Sequence, residues 1–279
     1  MGKKRPLPPS LGSDSFLIDS HCHLDMAAYH EDLEAVLTRA SEHGIAGIIT
    51  IGIDEASSRR AIELARTYPM VRATLGVHPH DADSLDEQTL ERLKTLALSN
   101  RDVVVGYGEI GLDYVKQYAA PELQRRWFQA QLKLAAELEL PVIIHDREAH
   151  DDTLRLLKEA GPLKHGGIMH CFSGNLDLAR QVMDLGLLIS IPGVVTFNKT
   201  PDLQEVAATI PLEAMLVETD GPFLAPVPWR GKRNEPFYTL YTAAKIAELR
   251  GISIDEVARH TTRNCRRLLN LPLADAGFC

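Results

Sequence analysis

The sequence predicts an α/β chain folded as a single (β/α)8 barrel of the TIM type, with its last helices packed outside the barrel. Three observations carry that expectation. Short apolar, β-branched runs alternate with helical patterns along the 279 residues; the runs number eight; and most open with apolar residues on both faces. Apolar strands separated by helices mean a parallel sheet covered on both sides, and eight of them close most economically into a barrel.

The first strand reads as FLIDSH (16–21), followed by a helix over 31–43 in which Leu33, Val36, Leu37 and Ala40 recur at spacings of three and four. AGIITIGI (46–53) and a helix over 55–67 come next, then VRATLGVH (71–78) with 86–99, and VVVGYGE (103–109) with 121–139. The second half repeats the alternation: PVIIHD (141–146) and 148–160, GGIMHCF (166–172) and 175–185, LLISIPG (187–193) and 201–209. AMLVETD (214–220) is the eighth strand, and helices near 237–249 and 253–271 complete the chain. Neither a Gly/Ser linker nor a repeat of 20–50 residues interrupts this order, so residues 15–279 read as one domain. Residues 1–14, MGKKRPLPPSLGSD, read as a flexible leader, because basic residues and prolines leave no apolar periodicity for folding to use.

Composition narrows the function classes. Hydrophobic residues make up 45% and charged residues 24%, as in ordinary globular chains, and no run approaches ~18 apolar residues, which excludes a membrane span. Thirty Lys and Arg against 38 Asp and Glu leave a net charge of −8, which excludes coating nucleic acid by bulk charge but leaves a local basic rim open. Cys22, Cys171, Cys265 and Cys279 form no CxxC and no disulfide framework, so a reducing, cytoplasmic setting is expected.

Gly106, Gly108 and Gly111 spell GxGxxG after a strand, the pattern of a dinucleotide site. A helix must open at once for that reading, yet LDYVKQYAAP follows, and Glu109 would aim a carboxylate at the pyrophosphate. The glycines instead let the backbone crowd beside a site at the strand's end.

In a parallel barrel, catalytic groups come from the C-terminal ends of the strands. Here those ends hold His21 and His23, His78 and His80, Glu109, His145, His170, and Glu218 with Asp220. Side chains alternate across a strand, so His21 and His23 point inward together, as do Glu218 and Asp220. Each group follows apolar residues that predict burial, and burying four imidazoles and two carboxylates without a cation costs several kcal/mol per unpaired charge. A metal removes that cost, since it takes neutral imidazole and ionised carboxylate as ligands. Six ligands exceed one tetrahedral site, so two divalent ions roughly 3.5–4 Å apart are expected. His21, His23 and Asp220 hold the first, His145 and His170 the second, and Glu109 bridges. The nitrogen and oxygen donors leave Zn, Mn, Mg, Fe or Ni open. Cys22 and Cys171 lie beside ligands in sequence, but alternation turns them to the opposite face, toward packing.

The stretches DSHCHLD (19–25), GVHPH (76–80), GEIGLDY (108–114), PVIIHDR (141–147), MHCFSG (169–174), ETDGPFLAP (218–226) and RGKRNEP (230–236) resemble, in order, the motifs of the TatD family of metal-dependent hydrolases, within the wider amidohydrolase-like barrels. The resemblance implies a TIM-type barrel and a metal-dependent deoxyribonuclease or related phosphodiesterase, 3′-5′ exonuclease-like. It assigns metal-ligand status to His21, His23, Glu109, His145, His170 and Asp220, and places His78 near the substrate phosphate. Phe197-Asn198-Lys199 reverses the family's usual Phe-Lys-Asn order, so no phosphate role is carried over to Lys199.

The reaction expected is phosphodiester hydrolysis by metal-activated water. Glu109, Asp220 and His78 are the catalytic group, with Asp220 orienting the water or taking its proton. Glu218 is expected beneath a ligating imidazole. For substrate binding, His78 is joined by Arg230, Lys232 and Arg233 on the rim, with Trp229 alongside for stacking. DNA or another phosphodiester is the expected partner; no membrane and no protein partner are called for. Two alternatives remain. One is hydrolysis of an amide, lactone or cyclic imide by the same metal pair, which Glu109 disfavours by standing where many such barrels carry a carboxylated lysine. The other is a non-catalytic quality-control adaptor, in which ligands should have been lost; none is missing.

Overall fold

The computed structural model describes residues 7–271. Eight parallel strands form one sheet in the order of the chain: β1 (Leu17–Cys22), β2 (Ile45–Thr50), β3 (Val71–Leu75), β4 (Val104–Asp113), β5 (Val142–Arg147), β6 (Gly167–Met169), β7 (Leu187–Ile191) and β8 (Met215–Val217). Between them run α1 (Leu33–Glu42), α2 (Glu55–Thr67), α3 (Glu87–Leu98), α4 (Pro121–Leu138), α5 (His150–Ala160), α6 (Leu176–Asp184) and α7 (Pro201–Thr209), and α8 (Thr239–Arg250) and α9 (Ile254–Leu268) follow β8. This is the expected (β/α)8 barrel. No helix among the described residues is long and apolar enough to cross a membrane.

Local chemistry starts these helices where the pattern places them. Asp54 accepts from the Ser57 amide while the Ser57 hydroxyl accepts from the Asp54 amide, a reciprocal cap on α2. Asp86, Asn175 and Ser253 each accept an amide of the first turn of α3, α6 and α9. Pro121 and Pro201 open α4 and α7, where a missing N–H is harmless.

Two layers of core result. The larger lies between strands and helices and includes Leu17, Ile48, Val142, Ile144, Met215 and Val217. The smaller fills the barrel with Ile18, Ile49, Ile51, Ile143, Ile168, Leu188 and Leu216, so alternate residues of one strand serve opposite faces. Cys265, Leu269 and Leu271 join this inner cluster. The last helix thus packs outside on β1 and β8, as expected, and its C-terminal end also stoppers the barrel's lower mouth.

Three differences from the expected elements bear on the site. β6 and β8 are only three residues long, because pairing stops before His170 and Glu218. β4 runs on to Asp113 instead of ending at Glu109, pairing with β5 as far as Arg147. Within the stretch expected as a leader, Leu11 packs on the core and the Gly12 amide donates to Asp255 at 2.8 Å, while residues 1–6 lie outside the described residues.

The barrel closes at its upper end. The Asp220 amide donates to the His21 carbonyl at 2.9 Å and the His23 amide to the Gly221 carbonyl at 2.7 Å. Below them Asp19 accepts from the Thr219 amide at 2.9 Å and its hydroxyl at 2.5 Å. Burial pushes the Asp19 carboxyl up to about 8 against those bonds. The seam between β1 and β8 is therefore sewn by the segments that carry His21, His23 and Asp220.

Candidate metal centre

Two strand irregularities aim the central side chains. On β1, Asp19 pairs with Ile48 and Cys22 with Thr50, so three steps of β1 match two of β2. The extra residue lets both Ser20 and His21 face inward: Ser20 Oγ meets Ser190 Oγ at 2.8 Å, while His21 reaches the site above. Cys22 then turns outward against Tyr29, as expected. On β4, Tyr107 pairs with Val142 and Ile110 with Ile144, again three steps against two, with Gly108 and Glu109 in the irregular stretch. Built as alanine, Gly108 would put its Cβ 2.4 Å from the Ile143 carbonyl oxygen, so β4 crowds β5 where the carboxylate enters. The expected role of the glycines stands.

Glu109 is 2% exposed and sits at the middle of five imidazoles. Its Oε2 lies 3.4 Å from His21 Nε2 and 3.7 Å from His23 Nε2. Its Oε1 lies 2.8 Å from His145 Nδ1, 2.8 Å from His170 Nε2 and 3.5 Å from His78 Nε2. One oxygen faces one group of histidines and the other oxygen the second. Asp220, in the left-handed backbone region at φ 55°, turns Oδ1 to 3.4 Å from His23 Nε2 and 3.9 Å from His21 Nε2. The six side chains expected to converge do so.

The structure adds carboxylates behind the imidazoles. Glu218 Oε1 accepts the Cys171 amide at 2.7 Å and lies 3.5 Å from His170 Nδ1. Asp113 Oδ2 lies 3.4 Å from His145 Nε2 and 2.8 Å from His80 Nε2, while its Oδ1 accepts the Val115 and Lys116 amides. Reading the sequence missed Asp113; its signal, a carboxylate closing an apolar strand, was masked by the assumption that β4 ends at Glu109.

Burial opposes charge at His21, His78, His23, His170 and Glu109. At His21 it prevails, helped by the neighbouring His170, and lowers the pKa; at His78 it takes the value down to about 4, leaving a neutral ring at pH 7. At His23 the bond to Asp220 and the charge of Glu109 overcome burial and raise it. At His170, Glu109 and Glu218 raise it well above the usual range. Glu109 is held well below the carboxylate range, against burial, by His170, His78 and His145.

The donor set fits divalent metal ions. His21 Nε2 and His23 Nε2 approach to 3.4 Å and His145 Nδ1 and His170 Nε2 to 3.3 Å, although a gap between two ring nitrogens holds only one proton. The buried Nδ1 atoms of His21 and His23 have no hydrogen-bond partner. Imidazole nitrogens crowded together beside an ionised carboxylate make an arrangement a cation completes, since a metal takes neutral rings as ligands in place of their protons. Donor atoms of His21, His23 and Asp220 fall within 4.8 Å of one another.

The rim departs from expectation at two residues. Arg233 grips Asp32 with both amino groups at 2.7 and 2.8 Å, and Glu235 at 2.8 Å, so its donors fasten the β8–α8 loop to the start of α1 and are not free for phosphate. Trp229 lies parallel to Tyr238 at 5.2 Å, packed rather than open for stacking. Arg230 rests over Phe197 at 4.5 Å, and it and Lys232 stay exposed. Arg233→Ala should therefore lower the melting temperature by a few degrees, about 2–4 °C per kcal/mol for a chain of this size, with hydrolysis of a one-phosphate substrate unchanged. An unchanged melting curve with weaker strand binding would restore the phosphate role.

The chain is similar to known proteins over nearly its whole length. The family model described as TatD related DNase matches residues 18–270. The metal-dependent hydrolase YabD of Bacillus subtilis is 42% identical over 255 residues, which cover 91% of this chain and 99% of that one. The 3′-5′ ssDNA/RNA exonuclease TatD of Erwinia tasmaniensis is 36% identical over 261 residues, 91% and 100% of the two chains. Among solved structures, the TatD homologue YjjV of Escherichia coli K12 superposes with a TM-score of 0.88 at 34% identity, covering 92% of this chain and 98% of its own. An organophosphorus hydrolase of Deinococcus radiodurans, at 14% identity and a TM-score of 0.65, shares the fold. A barrel with histidines and carboxylates gathered at its upper mouth, matched nearly end to end by these relatives, belongs to the TatD family of metal-dependent hydrolases.

Proposed function

We propose that the chain hydrolyses phosphodiester bonds in nucleic acid, with single-stranded DNA as the principal substrate and release from the 3′ end. The observation that carries this reading is the split of Glu109, one oxygen toward His21 and His23 and the other toward His145 and His170. That split suits two divalent ions (Zn, Mn, Mg, Fe or Ni), with His21, His23 and Asp220 around one, His145 and His170 around the other, and Glu109 shared. The bound ions would supply Lewis acidity toward a phosphoryl oxygen and lower the pKa of a water. The name carried by the Erwinia relative supports nucleic acid as the substrate, and the free thiols of Cys22, Cys171 and Cys265 support a reducing, cytoplasmic setting.

The chain's own residues divide the remaining work. Asp220 Oδ1, beside His23 Nε2, accepts the proton of the attacking water or holds that water in line. His78 has a defined tautomer: its Nδ1 accepts the His80 amide at 3.1 Å, so the proton of the neutral ring sits on Nε2, facing the cluster. That N–H is a hydrogen-bond donor for a phosphate oxygen and not a ligand. Glu218 places a carboxylate behind His170, 3.5 Å from its Nδ1, and is itself held by the Cys171 amide. Arg230 and Lys232 contact phosphates beyond the scissile one.

Glu218→Gln should lower kcat/KM by roughly 10–100-fold, the usual effect of losing a carboxylate behind a ligating histidine. Metal titration and turnover on the same preparation check it; full activity would remove Glu218 from the site's support. The function itself is tested with metal-reconstituted protein on end-labelled single- and double-stranded DNA and RNA, beside a carboxylic ester and a cyclic amide. A ladder receding from the 3′ end is expected. Turnover of the ester or amide alone overturns the reading.

A further inference from the structure

Five of the eight exposed large hydrophobic side chains among the described residues stand on two loops: Val115 and Tyr118 after β4, and Phe223, Leu224 and Val227 after β8. In a ring of eight strands, β4 and β8 are diametrically opposite, and both loops lie on the rim that holds the cluster. Tyr118 is 65% exposed, and its ring stands edge-on to His80 at 4.8 Å. Phe223 is 49% exposed, edge-on to His23 at 6.1 Å. Single exposed hydrophobic residues need no explanation. Two open aromatic rings on opposite walls of one catalytic mouth, each beside an imidazole of the site, form a pair with a shared geometry.

Resting on the phosphodiesterase reading above, we propose that Tyr118 and Phe223 are platforms on which unpaired nucleobases stack, one on each side of the scissile phosphate. The occupant follows from chemistry. A chain of net charge −8 gains little from bulk attraction to a polyanion, and Arg233 is committed to Asp32 and Glu235. Stacking needs no positive charge, and every base offers a π face, so such platforms bind a strand without reading its sequence. Bases already stacked in a duplex cannot reach either ring, so the pair favours single strands. Trp229, the aromatic residue nearest the basic loop in sequence, is stacked on Tyr238 and leaves the task to these two.

The test is a cycle between side chain and base. The substrates are a short oligothymidylate and two versions lacking the base on the 5′ or the 3′ side of the terminal scissile phosphate. Tyr118→Ala and Phe223→Ala should each lower kcat/KM on the intact strand by roughly tenfold, within the range of base–aromatic stacking. Removing the base held by a platform should cost the wild type a similar factor and the matching alanine variant little more. Tryptophan at either position should restore activity. The slope of log KM against log salt should stay unchanged, since stacking releases no counterions. Unchanged metal content and melting temperature exclude misfolding. If side-chain and base losses multiply at both positions, the rings do not hold those bases and the proposal fails. If the wild type leaves the intact strand uncut, the phosphodiesterase reading fails instead.

Discussion

Glu109→Ala is expected to abolish turnover, by at least about 10⁴-fold, and, on the proposed two-ion arrangement, to lower occupancy at both positions at once. No other side chain of the cluster has one oxygen against His21 and His23 and the other against His145 and His170. Its loss takes a donor from each half. The carboxylate that raises the pKa of His170 and His145 against burial is also lost, so both rings shift toward the neutral form, which a buried site accommodates at little cost to the fold. The variant should therefore fold, melt near the wild type and bind substoichiometric metal. His23→Ala touches only one half and should weaken one ion preferentially, leaving about one equivalent bound. Elemental analysis of purified, metal-reconstituted variants separates the cases. Two full equivalents in Glu109→Ala would falsify the shared-carboxylate arrangement even if activity were lost.

Much of this architecture was readable from residue order. Runs such as PVIIHD and AMLVETD announce buried strands because both faces are apolar until the last residues, and histidine or glutamate at that point contradicts burial strongly enough to mark a site. What periodicity could not supply is local slippage. Strict alternation sends Ser20 and His21 to opposite faces, yet the irregularity in β1 brings both inward. Alternation places Asp220 with Glu218, but Asp220 reaches His23 through a left-handed backbone while Glu218 lies behind His170. Long-range partners were equally hidden. Arg233 reads as a phosphate ligand in RGKR until Asp32, about two hundred residues earlier, is found against it. Trp229 reads as a stacking platform until Tyr238 covers it. A basic or aromatic residue in a loop declares its chemistry in sequence and its commitments only in three dimensions.

Gly111→Ala should damage the protein nearly as severely, for a steric reason. Gly111 lies on β4 directly opposite His145 on β5, at φ 144°, where L-residues are rare. A Cβ there would fall 1.9 Å from the His145 carbonyl oxygen and 2.9 Å from its carbon, both backbone atoms that cannot rotate away. Backbone strain of about 1–3 kcal/mol adds to an overpacking cost of similar size, so a loss near 4 kcal/mol is expected. For a chain this long that is a fall in melting temperature of roughly 10 °C. Relief can come only by pushing β5 away from β4, which draws His145 Nδ1 off Glu109 Oε1, now 2.8 Å away. A displacement of about 1 Å costs on the order of 10²-fold in rate, so the molecules that do fold should also be slow. Gly186→Ala is the control: its φ is 82°, but a Cβ meets nothing within 4 Å, and it lies in the turn between α6 and β7, away from the upper rim. That variant should show the conformational cost alone, a few degrees, with full activity per folded molecule. Thermal melting and active-site-normalised rates of the two variants side by side decide the matter. If they melt together, β5 yields to the extra carbon without strain, and the close approach of β4 to β5 does not hold His145 in place.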